Sequence, residues 1–213
     1  MRQRKKVLAP VDFFNEVVQL DAVFDMQKFV LEDVLKKINA FSGRYTISIN
    51  IPSHFIASKH YMDQLYDEIK HKTKFPEALD IEIVERNEIT ELETAGENLR
   101  KLKSLGVKIS LDDFGTGYSS LTYLRVFPVD CIKTDPSFIT MLESGPRERL
   151  IMETLIKLCH ELDCVLVVEG IEEKHAADSL SKMGVDYFQG YYFGKPKPIA
   201  KYVEEYQLDY LSS

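Results

Sequence analysis

Apolar residues recur along this chain with two periods that take turns. Some short stretches alternate apolar and polar residues or run apolar throughout, as strands do. Between them lie longer stretches with apolar residues three and four apart, as amphipathic helices require. Residues 45–51 alternate as a strand closed by Pro52, and further strands are predicted at 79–85, 107–112, 129–135, 164–170 and 185–190. Helices are predicted near 12–18 and over 23–40, 60–72, 91–105, 119–125, 146–162, 173–183 and 199–206. Helix stop signals agree with these bounds: Ser42-Gly43 follows the second helix, Gly106 the fourth and Gly184 the seventh.

Strands that alternate with helices and read as largely continuous apolar runs imply a parallel sheet covered by helices. Two α/β architectures satisfy this, a doubly wound open sheet and a (β/α)8 TIM-type barrel. No Gly-x-Gly-x-x-Gly follows the first strand, which weakens the open nucleotide-binding sheet. Every predicted strand instead delivers polar residues near its C-terminal end. These are Asn50, Glu82 with Glu85, Asp112 with Asp113, Lys133 with Asp135, Glu169 with Glu172, and Gln189. Functional groups drawn from several strand ends are characteristic of the barrel, which is the predicted fold. Six strands are visible where a barrel has eight, so the barrel is expected to be incomplete, with its first two strands missing.

The 213 residues suit a single domain with one core, and 45% hydrophobic with 29% charged residues is an ordinary globular balance. No apolar run approaches the roughly 18 residues that span a bilayer, and the basic residues 2–6 lead into no signal-peptide core. A bacterial cytoplasmic location is the expectation. A net charge of −7, without a basic stripe beyond those few residues, argues against a nucleic-acid polymer as partner. Cys131, Cys159 and Cys164 have no paired spacing, so neither a disulfide framework nor a zinc site is expected.

The strand ends carry the chemistry. Asp112 and Asp113 are adjacent, and adjacent strand residues face opposite ways unless the backbone bends; the Gly115-x-Gly117 that follows permits a bend. On a barrel, seven carboxylates would share one mouth with Lys133 and the amides of Asn50 and Gln189. Such charge must be protonated or bound to cations. Oxygen ligands without thiolate or imidazole select magnesium, manganese or calcium. A pair of such ions supports in-line attack of water on phosphorus, with Lys133 as donor to the developing charge. Metal-assisted phosphodiester hydrolysis is the suggested chemistry; helix capping and surface ion pairs are the bland alternative for strand-end acids.

The run Asp112-Asp113-Phe114-Gly115-Thr116-Gly117-Tyr118-Ser119-Ser120-Leu121 resembles the hallmark loop of the EAL-type cyclic di-GMP phosphodiesterases. The likeness extends to Ser48-Ile49-Asn50, to the Ile81–Glu85 and Ile132–Ile139 stretches, to Glu169-Gly170-Ile171-Glu172, and to the segment from Gln189 to Pro196. The resemblance implies that Asn50, Glu82 and Asp112 hold a first Mg2+ or Mn2+ and Asp113 a second. It implies that Lys133 and Glu169 handle the attacking water, with Glu169 as general base. Glu85 would brace the loop of Phe114, Gly115, Thr116 and Gly117, Gln189 would stand near the water, and Glu172 would support the substrate end. Asp135 is read evenly as a site residue or a loop brace. The substrate implied is cyclic di-GMP, cut to the linear dinucleotide, and a homodimer is expected by the same resemblance. The family takes its name from a Glu-Ala-Leu at an early strand end, whose glutamate is a ligand. Here Glu77-Ala78-Leu79 enters a strand instead of leaving one and is a decoy. Impaired activity follows as an expectation. The alternative is a catalytically silent module that binds cyclic di-GMP or a protein.

Overall fold

The computed structural model describes residues 2–3, 6–7, 22–84, 89–115, 120–142 and 145–209. Two short strands, β1 (Arg2–Gln3) and β2 (Lys6–Val7), pair antiparallel, a hairpin that the hydrophobic pattern does not predict. The other six are β3 (Ile47–Pro52), β4 (Leu79–Val84), β5 (Lys108–Phe114), β6 (Cys131–Thr134), β7 (Val165–Val168) and β8 (Tyr187–Phe188). They form one parallel sheet in strict chain order. A doubly wound sheet reverses its strand order at a switch point. This one does not, so its winding is that of a TIM-type barrel. Among the described residues β3 and β8 end the sheet.

Helix α1 (Val23–Ala40) precedes β3, and α2 (Ser53–Ile56) and α3 (Lys59–Lys72) link β3 to β4. Then come α4 (Leu92–Lys103), α5 (Ser120–Val126), α6 (Ser137–Leu142), α7 (Pro146–Glu161), α8 (Lys174–Met183) and α9 (Ile199–Glu205). The helix predicted near 12–18 lies outside the described residues. Most helices start and stop where the sequence signals place them. Ser58 Oγ accepts the Tyr61 N–H to cap α3, and α8 stops on Gly184 at φ +94°. Helices α2 and α6 are additions, each a short piece of four to six residues directly after a proline, Pro52 and Pro136.

The strands are not the continuous apolar runs expected of a parallel sheet covered on both faces. They are two-faced. Ile49, Ile51, Ile81, Ile83, Ile109, Leu111, Ile132, Leu166 and Val168 are buried on one face, under helix residues such as Leu35, Ile69, Leu99 and Ile156. In-register partners in a parallel sheet share a face. The pairs Ser48↔Asp80, Asn50↔Glu82, Glu82↔Ser110, Ser110↔Cys131 and Lys133↔Val167 therefore place a polar row on the other face. The physical reason is the curvature of a barrel-type sheet, whose helices cover only the outer face and whose inner face is free to carry chemistry.

At the opposite end of the strands two aspartates tie neighbouring strands together. Asp130 accepts the Ile109 N–H at 2.9 Å while Lys103 Nζ donates to its other oxygen at 2.7 Å. Asp186 likewise accepts the Leu166 N–H at 2.8 Å and faces His160 at 3.1 Å. The end remote from the strand tips thus carries the register, which leaves the tips to function.

Candidate active site

Four side chains from four consecutive strands meet at the C-terminal tips. Lys133, near the end of β6, places Nζ 2.9 Å from Glu82 Oε1, 2.6 Å from Glu169 Oε1 and 3.7 Å from Asp112 Oδ1. All four are largely buried, at 8–17% side-chain exposure. One ammonium thus serves three carboxylates in a poorly solvated place. Burial alone would lower the Lys133 pKa, but Glu169, Glu82 and Asp112 outweigh it and hold the amine protonated. For Asp112 burial wins: its pKa is pushed up to about 6, with Glu169, Glu82 and Asp113 adding to the rise and Lys133 opposing it.

The bend expected at the adjacent aspartates is present. The register of β5 on β6 slips between Leu111 and Phe114, one extra residue on β5, and Asp113 sits at φ +55°. Aspartate tolerates this left-handed conformation better than most residues. Gly115, two residues on, also has a positive φ, at +97°, and Phe114 between them is buried. Asn50 is exposed on β3, in register with Glu82 and on its face. Asp135 accepts the Ser137 N–H at 2.8 Å, the loop-bracing geometry. Glu172 and Gln189 are exposed on flanking loops, and among the described residues neither side chain hydrogen-bonds to the Lys133 cluster. Glu85, Thr116 and Gly117 lie outside the described residues.

Beneath this cluster lies a layer that attention to strand tips alone overlooks. Buried Asp80 accepts hydrogen bonds from Ser110 Oγ at 2.6 Å and Ser48 Oγ at 3.0 Å, bridging β3, β4 and β5. Burial raises its pKa, and the two hydroxyls oppose the rise. Each member stands two residues before a tip residue (Ser48 before Asn50, Asp80 before Glu82, Ser110 before Asp112), so the period-two pattern held the signal.

Among the described residues no three His, Cys, Asp or Glu side chains stand close enough to hold one ion as arranged, because Lys133 Nζ occupies the point where the acids converge. The donor chemistry nonetheless fits a divalent cation. The ligands are hard oxygens, three carboxylates outnumber one ammonium, and buried Glu169 Oε1 has its ion pair without completing a hydrogen bond.

The model of the EAL domain family matches residues 1–196. The chain belongs to the EAL domain family. An EAL domain protein from Listeria monocytogenes EGD-e, a solved structure, is 50% identical and superposes with a TM-score of 0.89 over 94% of this chain and 80% of that one. A PaMucR phosphodiesterase solved as a c-di-GMP complex is 25% identical, with a TM-score of 0.81 over 94% of this chain and 83% of that one. Cyclic di-GMP phosphodiesterase PdeB of Shewanella oneidensis is 27% identical over 95% of this chain and 24% of the relative. The chain spans about a quarter of the length of the first curated relatives it matches. Within this EAL domain Glu77 and Ala78 lie in a 3-10 turn (Pro76–Ala78) that leads into β4. That turn is at the far end of the strand from Glu82, so the Glu-Ala-Leu of residues 77–79 is no part of the tip cluster. No helix among the described residues is long and apolar enough to cross a membrane.

Proposed function

We propose that this EAL domain hydrolyses one phosphodiester bond of cyclic di-GMP to give the linear dinucleotide. The observation that supports this most is the convergence of Glu82, Asp112 and Glu169 on Lys133 at the strand tips. The PaMucR complex and PdeB, whose names state the ligand and the reaction, supply the substrate class.

Asn50, Glu82, Asp112 and Asp113 hold divalent ions, Mg2+ or Mn2+, which when bound neutralise phosphoryl charge and acidify water. Glu169 accepts the proton of the water whose oxygen closes on phosphorus. The phosphorus–ribose oxygen bond in line with that attack breaks, and the leaving oxygen takes up a proton as a hydroxyl. Lys133 Nζ, 2.6 Å from Glu169 Oε1, aims that carboxylate and offers a donor to the phosphoryl oxygens. Glu172 and Gln189 flank the substrate.

These residues include no Glu-Ala-Leu at a strand tip, so on their own they supply one carboxylate fewer than the family's ligand set. Hydrolysis by the isolated chain is therefore at least about tenfold weaker than in a relative that carries it, since the loss of even an outer support of a metal costs about 10–100-fold. The test is incubation of the purified chain with cyclic di-GMP and Mn2+ or Mg2+, with nucleotides separated by chromatography. Metal-dependent linear product that disappears in Glu169→Gln supports the reading. No product at high protein concentration with either metal overturns it.

A further inference from the structure

Three loops at the strand tips interlock through glycines. A β-carbon built on Gly115 would lie 2.7 Å from Phe138 Cζ, one on Gly170 2.6 Å from Pro136 Cβ, and one on Gly190 2.1 Å from the Ile171 carbonyl oxygen. Each glycine is thus overlapped by a residue from a neighbouring loop. Two of these contacts come from the same short segment, the one that follows Lys133. On one side Pro136 rests on Gly170, the residue after Glu169. On the other, the Phe138 ring rests on Gly115, two residues after Asp113. The segment is itself held in place. Asp135 Oδ1 accepts the Ser137 N–H at 2.8 Å and the Asp135 carbonyl accepts the Phe138 N–H at 3.0 Å, which turns the chain into α6 and fixes where the ring begins.

We propose that Phe138 is a positioning residue for the Asp112–Asp113 bend. The bend holds a left-handed aspartate at φ +55° and, two residues on, a glycine at φ +97°, a backbone that relaxes unless its surroundings hold it. The ring lies where any side chain on residue 115 would go, and closes the space into which the bend would otherwise relax. Because Pro136 braces Gly170 from the same segment, the β6 loop acts as a strut between the acids of β5 and the Glu169 of the β7 loop, with Lys133 at its root. The part played by Asp135 follows: it shapes the strut and needs no contact with substrate. This inference rests on the proposed metal-binding role of Asp112 and Asp113.

The test is a double-mutant cycle on the full chain, read as Mn2+ affinity by calorimetry without substrate. Gly115→Ala is expected to weaken Mn2+ at least about tenfold, in the range seen for lost supports of metal ligands. Removing the ring makes room for the new methyl, so Gly115→Ala costs at least about threefold less in the Phe138→Ala background than in the wild type, a coupling that independent sites do not show. Phe138→Ala alone weakens Mn2+ about tenfold and Phe138→Leu, which still fills most of the space, much less. Leu155→Ala, a buried residue of α7, serves as control: it lowers the unfolding temperature and leaves Mn2+ affinity unchanged. Equal cost of Gly115→Ala in both backgrounds would mean that the glycine answers only to its φ, and overturns the inference. Where Gly115→Ala does not fold, Phe138→Ala decides, and unchanged Mn2+ affinity overturns it. A wild type that binds no Mn2+ removes the metal reading and the inference together; a wild type that binds while the cycle is additive removes the inference alone.

Discussion

Asp112→Asn separates what the site costs the fold from what it does. In the metal-free protein the Asp112 pKa stands at about 6 against an ordinary 3.8, chiefly because the carboxylate is buried beside Glu82 and Glu169 with a share in only one ammonium. Its native pKa lies above the unfolded one. Between about pH 4 and 6 the folded chain therefore binds more protons than the unfolded chain, and stability falls as pH rises through that window. The fall amounts to about 3 kcal/mol, complete above pH 6 and absent below pH 4. Asparagine has the shape of the protonated acid and cannot ionise. The variant should therefore be more stable than the wild type by about 2–3 kcal/mol at pH 7.5 in chelator, with a difference near zero at pH 4. Urea unfolding at the two pH values, with and without Mn2+, measures this directly. Mn2+ should stabilise the wild type and leave the variant behind. An equal effect of the substitution at both pH values, or a loss of stability at pH 7.5, would refute the reasoning.

Three further substitutions probe the same neighbourhood. Lys133→Ala leaves three buried acids without their cation and should cost about 3–5 kcal/mol in chelator at neutral pH, with part recovered on adding Mn2+, by the same urea assay. Ser110→Ala takes from Asp80 its shorter hydrogen bond and should cost about 1.5–3 kcal/mol at pH 7.5, and less as pH falls and the Asp80 carboxyl, its pKa raised by burial, takes up a proton; matched unfolding curves check it. Gly190→Ala drives a methyl into the Ile171 backbone and should cost about 3 kcal/mol or more, seen as a drop in the thermal midpoint, because backbone cannot move aside as a side chain can.

Local signals carried most of the fold and all of the tip cluster. Period-two and helical spacing placed the six parallel strands and the longer helices between them, because each of those elements buries one face and its pattern repeats that face. Asp112 and Asp113 were legible as a bend from their adjacency and the glycines after them, and the slip in register with Asp113 at φ +55° is the local cost of that choice. The two-faced strands were less visible. Valine-rich 165–168 reads apolar throughout, although Val165 is exposed on the inner side, since a single run does not say which face the helices cover. The bridge from Ser48 through Asp80 to Ser110 depends on register across three strands. The seat of Phe138 on Gly115 joins residues 23 apart in the chain, and contacts of that kind leave no periodic trace. Helix α6, at six residues, is too short for helical spacing to declare itself.

Hydrolysis at the strand tips depends most on their holding a divalent ion. Crystals of the chain grown with Mn2+ and measured at the manganese edge test this most directly. The expected result is an anomalous peak within about 2.5 Å of carboxylate oxygens of Glu82 and Asp112, with Lys133 still beside Glu169, and no peak there in Asp112→Asn. Saturating Mn2+ with no peak at those tips, or a peak that survives Asp112→Asn unchanged, would contradict it.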